Sequence, residues 1–259
     1  MMTYPLEQLC TITTKADAKP ITGAQLVIGV DEVGRGALFA NMTVCAVILP
    51  DELTGLFGEI DLSDTPLKLL NDSKKLTEKR RESLFEPIKA LALDYAIVDV
   101  PRAVIDTINI SKATMLGMRL AMTSLIAKHG LSNDTTLLVD GNEFPLFDDD
   151  WARFCHRQTM IKGDATHTTI ACASILAKVH RDRQMIAYGA KYPEYRIDSH
   201  KGYLTAVHKA AIMTHGILPE HRRSYMPITQ LYRDGFVNNA YWVDGDATTS
   251  SYISVEKLL

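Results

Sequence analysis

Three short strand-like runs in this chain each end on a carboxylate. Residues 26–30 run into Asp31-Glu32, residues 135–139 into Asp140, and residues 158–161 into Lys162-Gly163-Asp164. Short runs of this kind, bounded by turn residues, read as strands, and in α/β sheets the strand ends converge on a crevice. The fold must therefore bring several acids together beside a core. Ionised carboxylates side by side repel, and burial worsens the repulsion. Alone, the Asp31-Glu32 pair fits an acidic surface turn. The recurrence of acids at strand ends favours a bound divalent cation instead. The two later acids adjoin glycine, which allows close backbone approach to a ligand. Hard oxygen ligands with no His or Cys at comparable positions suit Mg²⁺ or Mn²⁺ rather than zinc. Such a cluster can hold two ions, one readying a water and one stabilising a leaving oxygen.

The 259 residues, 46% of them hydrophobic, suffice for one main core with a small appendage. A net charge of −3 excludes a general electrostatic grip on nucleic acid or anionic membrane, so any polyanion site must come from local clustering. Lys74, Lys75, Lys79, Arg80 and Arg81 form one basic cluster, and Arg196, Lys201, Lys209, Arg222 and Arg223 another. Two clusters flanking an acidic centre suit a phosphate-tracking groove. No apolar run is long enough for a bilayer, and the N-terminus lacks a signal-peptide pattern. Cys10, Cys45, Cys155 and Cys172 form no C-x-x-C pair, and the simplest expectation is a reduced, cytoplasmic protein. The spacing of His200, His208, His215 and His221 argues against a metal site there.

The pattern predicts an α/β fold with a mixed sheet flanked by helices. Strands are expected at 26–30, 42–49, 95–100, 135–139 and 158–161, the first two as a hairpin with Gly34-Arg35-Gly36 near its turn. Helices are expected from Thr77 (as cap) to about 93, from Ser111 (as cap) to Gly130, at 168–189 and at 203–215. Residues 1–23 read as a loosely structured extension and 24–190 as the catalytic domain. Residues 191–259 read as a small helical region and tail, with 229–259 unassigned. Asp148-Asp149-Asp150 reads as a solvated turn, and Asp182, between Arg181 and Arg183, as a solvated or salt-bridged helix residue that competes less well than Asp164 for the fourth ligand position.

Several blocks recur in order along the chain: Asp31-Glu32-Val33-Gly34-Arg35-Gly36, Asn71-Asp72-Ser73-Lys74-Lys75-Leu76, Asn109-Ile110, Val139-Asp140-Gly141-Asn142 and Lys162-Gly163-Asp164. Ala173-Ser174-Ile175-Leu176-Ala177-Lys178-Val179, His200-Lys201-Gly202-Tyr203 and His221-Arg222-Arg223-Ser224 follow. Together they resemble bacterial ribonuclease HII, a type 2 ribonuclease H. The resemblance implies a ribonuclease H-like fold in an endonuclease that needs Mn²⁺ or Mg²⁺ and acts as a monomer without a membrane. Its substrates would be the RNA strand of RNA–DNA hybrids and single ribonucleotides in duplex DNA, leaving 5′-phosphate and 3′-hydroxyl ends. It also implies that Asp31, Glu32, Asp140 and Asp164 hold the metal. Gly34, Arg35 and Gly36 would sense the ribose 2′-hydroxyl, Tyr203 would pack on the neighbouring deoxyribose, and Lys74 would contact phosphate.

The family usually continues Pro-small-small-Gly-Pro after Gly36, whereas this chain has Ala37-Leu38-Phe39-Ala40-Asn41. Two other classes compete with the nuclease. A catalytically silent hybrid binder would lack one of the four acids, and none is missing. A small-molecule phosphohydrolase would want a phosphate loop, and neither a G-x-G-x-x-G nor a Walker spacing occurs.

Overall fold

A computed structural model of the chain describes residues 6–21, 26–130, 134–147, 155–238 and 240. The first long apolar run forms β2 (Val27–Val33), after a short β1 (Thr11–Thr14), and returns as β3 (Met42–Ile48). Next come α1 (Glu78–Leu91), β4 (Asp94–Val100), α2 (Arg102–Ile108) and α3 (Ile110–His129). Strands β5 (Thr136–Asp140) and β6 (His156–Met160) precede the long α4 (Thr168–Lys191). Short helices α5 (Ile197–His200), α6 (Ala206–His215) and α7 (Ile228–Arg233) follow.

The sheet order is β1-β4-β3-β2-β5-β6. The hairpin expected from sequence is present: β2 and β3 pair antiparallel from Ile28–Ile48 to Val33–Thr43. Strand β5 runs parallel to β2, and β6 runs parallel to β5. Strand alternation sends Ile28, Val30, Val44, Val98 and Val139 to the face covered by α3, with Met118, Met122 and Leu125. Met118 and Met122, one turn apart on α3, are thus core residues. Cys45, Val47 and Ile97 face the other way, onto α1 and the apolar side of α4, including Cys172, Ile175 and Leu176. The C-terminal helices close a third cluster around Phe39, Tyr192, Tyr195 and Ile212.

The structure differs from the sequence reading at several places. Thr11–Thr14, placed in a loose extension, pair with β4 as an edge strand. The Lys15 ammonium donates to the Ala92 carbonyl at 2.7 Å, tying that strand down. Pro101 closes β4 but also precedes α2, because proline suits the start of a helix. The α3 cap is Asn109, whose side chain accepts from the Lys112 amide at 3.1 Å, two residues earlier than the expected Ser111. Helix α6 starts after Tyr203, because Lys201 and Gly202 both have positive φ and Thr205 caps the helix. Within 229–259, α7 occupies Ile228–Arg233. Asp148–Asp150 lie outside the described residues.

Gly117 lets α3 seat on the sheet: a Cβ there would lie 2.8 Å from Val44 Cγ2 and 2.9 Å from Val100 Cγ2. Gly117→Leu is expected to destabilise by about 1–3 kcal/mol through overpacking, read as a lower urea midpoint at unchanged m-value.

Candidate active site

Parallel pairing of β2 with β5 matches Val30 to Val139. The next residues, Asp31 and Asp140, therefore emerge side by side, on the face opposite their valine neighbours. Asp31 is buried. It accepts a hydrogen bond from Ser174 of α4 and another, at 2.7 Å, from the Glu32 amide. Asp140 takes the Gly163 amide at 2.6 Å, which draws the turn after β6 onto the end of β5. That turn carries Asp164, buried and one residue on. Gly163 is required for the approach, since a Cβ there would sit 2.6 Å from Ile170 Cδ1 and 3.4 Å from Asp140 Oδ1.

The four acids feel one another. Burial, then the charges of Glu32 and Asp140, pushes the Asp31 carboxyl well above the usual carboxylate range. Glu32 is raised by burial and by Asp140, against the pull of Arg35, whose Nη1 lies 3.5 Å from Glu32 Oε1. Asp140 is raised by burial and by Asp164. Lys74 brings a positive charge to the cluster, its ammonium 2.9 Å from Asp164 Oδ2. Partial burial works against that ammonium, but the bond to Asp164 raises its pKa. Among the described residues, no three His, Cys, Asp or Glu side chains stand ready as a group that could hold a metal ion. An oxygen-only donor set, three of whose members resist ionisation and which already attracts an ammonium, fits hard divalent cations.

Lys74 is placed by its loop. Asp72 accepts the Lys74 amide at 2.8 Å, and Ser73 Oγ lies 2.8 Å from Ser174 Oγ. With Ser174 donating to Asp31, Ser73 donates to Ser174, so a hydroxyl relay joins the lysine loop to the first acid. Sequence reading placed Ser73 and Ser174 inside motifs but assigned them no role. A hydroxyl relay of this kind has no spacing signature.

Gly34, Arg35 and Gly36 leave the end of β2 beside these acids. Gly34 has φ +89°, and a Cβ there would collide with the buried Arg181 side chain. Arg181 donates to the Asn41, Lys201 and Phe39 carbonyls at 3.0, 2.9 and 3.2 Å, joining this loop to the one carrying Tyr203. A Cβ at Gly36 would lie 3.9 Å from Tyr203 Cε1, in ordinary contact, so the ring borders this loop.

Three histidines brace Tyr203, although their spacing carries no metal pattern. His221 Nδ1 accepts the Leu218 amide at 2.7 Å, which leaves its proton on Nε2, 3.0 Å from His208 Nε2. His208 then donates from Nδ1 to the Tyr203 carbonyl at 3.0 Å. His200 stacks on His208, donates to the Tyr195 carbonyl and accepts the Gly202 amide. Each ring is neutral with both nitrogens engaged, so none offers a ligand atom. Two assignments from the basic clusters change. Arg222 and Arg223 are buried and contribute nothing to a surface groove. Asp182 pairs with Lys178 at 2.8 Å, as the sequence suggested.

A family model described as Ribonuclease HII matches residues 28–227. The chain belongs to the ribonuclease HII family. It is 44% identical to the ribonuclease HII of Psychrobacter sp. (strain PRwf-1), covering 88% of each chain. It is 45% identical to that of Shewanella halifaxensis, over 78% of this chain and 88% of the relative. The fold matches the ribonuclease H2 of Pyrococcus horikoshii OT3 at TM-score 0.61 and 24% identity, covering 81% of this chain and 98% of that one. It also matches Bst-RNase HIII, solved in complex with Mn²⁺, at TM-score 0.55 and 16% identity, covering 82% and 70%. As a ribonuclease HII, the chain is a ribonuclease H, an enzyme that cleaves the RNA of RNA–DNA hybrids and depends on a divalent metal. Among the described residues no helix is long and apolar enough to cross a membrane.

The histidine brace has a pH consequence. Burial, then the neighbouring His200, lowers the His208 pKa to about 4. The unfolded chain takes up a proton below about 6.5 that the native state refuses, so stability falls as pH drops from about 6.5 towards 4 and is flat above. The raised carboxyls act in the opposite sense, so a difference measurement isolates the histidine. Wild type relative to His208→Asn is expected to lose on the order of 2 kcal/mol between pH 7 and pH 5 in urea unfolding. Parallel pH profiles for the two proteins would exclude a neutral buried His208.

Proposed function

We propose that this cluster of acids is the catalytic centre of an endonuclease that cuts RNA–DNA hybrids and also single ribonucleotides in duplex DNA. The observation that carries this is the convergence of Asp31, Glu32, Asp140 and Asp164, with Lys74 on Asp164 and the Gly34–Gly36 loop against Tyr203. Two Mn²⁺ or Mg²⁺ ions held there would neutralise charge at the scissile phosphate and lower the pKa of an attacking water. The four carboxylates hold that charge in place, each anchored by a backbone or side-chain partner before substrate arrives. Lys74 exchanges Asp164 for a phosphate oxygen. The Gly34-Arg35-Gly36 backbone reads the 2′-hydroxyl, the feature that separates RNA from DNA at one sugar. Tyr203 offers its ring to the following deoxyribose. Water attacks the phosphorus directly and the 3′-oxygen leaves, giving a 5′-phosphate and a 3′-hydroxyl.

The deciding experiment is incubation with a duplex carrying one ribonucleotide, in Mg²⁺, Mn²⁺ or EDTA. Cleavage at that nucleotide with metal, and none with EDTA, is expected. Asp140→Asn is expected to fold and to lose several orders of magnitude in turnover, because an amide keeps the shape but not the charge. Near-normal turnover by the folded variant would remove Asp140 from the site.

Lys74→Ala is expected to weaken duplex binding without moving the cut. The slope of log affinity against log salt should fall by about one unit, the contribution of one neutralised phosphate. Titrations in Ca²⁺ at several salt concentrations measure it, and an unchanged slope would assign Lys74 to a solvated face.

A further inference from the structure

The loop after β2 carries an unusual load. Its residues 37–41 lack the prolines and the glycine that the family pattern places there, and Ala40 sits in the left-handed region at φ +62°. A side chain in that region is strained, so something must hold the backbone in place. The holder is Arg222. This guanidinium is fully buried, and burial pushes its pKa down to about 10. Its Nε donates to the Ala40 carbonyl and its Nη1 to the Arg35 carbonyl, both at 2.9 Å. Its own amide donates to the Leu38 carbonyl at 2.8 Å, and the Ala40 amide returns to the Glu220 carbonyl at 2.9 Å.

Tyr225 completes the arrangement. Its hydroxyl donates to the same Arg35 carbonyl at 2.6 Å, lies 3.3 Å from Arg222 Nη1, and its ring sits 5.3 Å from the guanidinium carbon. The Arg35 carbonyl thus accepts two side-chain donors from a segment 187 and 190 residues away. Both of its lone pairs are then committed, and the peptide plane between Arg35 and Gly36 is locked. That plane also sets the direction of the Gly36 amide, beside the Tyr203 ring. A buried cation is costly to keep, and here it contacts backbone carbonyls rather than a carboxylate. The bonds that Arg222 and Tyr225 make here go to loop carbonyls and to each other, while the Arg35 side chain is the part of the loop that meets Glu32.

We infer that Tyr225 and Arg222 are positioning residues for ribose selectivity, clamping the Arg35 carbonyl so that the Gly34–Gly36 backbone meets a 2′-hydroxyl in one fixed geometry. This deepens the proposed function and rests on its reading of that loop. A positioning role predicts that loosening the clamp reduces discrimination between ribose and deoxyribose while leaving general duplex affinity alone. A role in packing alone would lower both together.

The test uses the full-length protein and Tyr225→Phe, which keeps the ring against Arg222 and removes only the hydroxyl. Affinities are measured in Ca²⁺ for a DNA duplex carrying one ribonucleotide and for the same duplex in all-DNA form. The expected result is a three- to ten-fold smaller preference for the ribonucleotide duplex, about the worth of one hydrogen bond, at unchanged all-DNA affinity and unchanged thermal midpoint. In Mg²⁺, KM for the ribonucleotide duplex should rise more than kcat falls. Arg222→Lys, which keeps the charge and loses the second donor, should lower the preference further if it folds. An unchanged preference in Tyr225→Phe, or an equal loss on both duplexes, overturns the inference. A wild-type protein that does not itself distinguish the two duplexes overturns the ribose-reading proposal as well, and that failure is visible before any variant is made.

Discussion

Parallel pairing of β2 with β5 is the constraint on which the site depends. One register, Val30 opposite Val139, brings two carboxylates to the same level of the sheet. A slip by a single residue would turn one of them towards the α3 core. The register is held because both valines are fully buried on that face and Gly29 lets α4 approach the other. A Cβ at Gly29 would lie 2.8 Å from the Ile170 amide nitrogen, so the helix that supplies Ser174 to Asp31 reaches the sheet only over a glycine. Core packing and site geometry are therefore the same set of contacts.

Electrostatics then decides how that site behaves. Asp31, Glu32 and Asp140 all hold their protons more tightly than ordinary carboxyls, burial being the largest cause for each. A group of this kind favours whatever cation relieves it, and a divalent ion does so better than a proton. Lys74 supplies a partial answer from within the chain. Its side chain is 76% exposed while its ammonium still reaches Asp164, so the contact is one that substrate phosphate can replace without unpacking anything. The ion pair is therefore of little consequence for stability.

The periphery of the site is built differently. Two buried arginines, Arg181 and Arg222, donate to five backbone carbonyls across the loops at 34–41 and 201. Such groups make weak anchors for stability and good ones for geometry, since the planar guanidinium fixes the relative orientation of every carbonyl it meets. The three neutral histidines do the same for Tyr203. The Arg222 bonds join the C-terminal segment to the hairpin loop, while the histidine bonds stay among residues 195–221.

Much of this was legible in the sequence. The strand end at Asp140, the cap at Thr77, the α4 start at Thr168 and the glycines beside the acids follow from local pattern, because period, capping and turn chemistry act within a few residues, whereas β2 runs on through Asp31 and Glu32 to Val33 because β3 pairs with it that far. The motif blocks placed the acids, Lys74 and Tyr203 in one family before any coordinates. What only the tertiary structure decided are contacts between distant segments. Thr11–Thr14 have no buried face of their own and become a strand because β4 offers an edge. Arg222 and Arg223 read as a basic surface because charge predicts solvent, yet both are buried: the Arg222 guanidinium donates to distant backbone carbonyls, and the Arg223 backbone amide donates to Asp106. His200, His208 and His221 show no spacing, yet stack and hydrogen-bond across a turn. Local sequence fixes which elements form. Burial of a polar side chain depends on partners far along the chain, and only the folded arrangement supplies them.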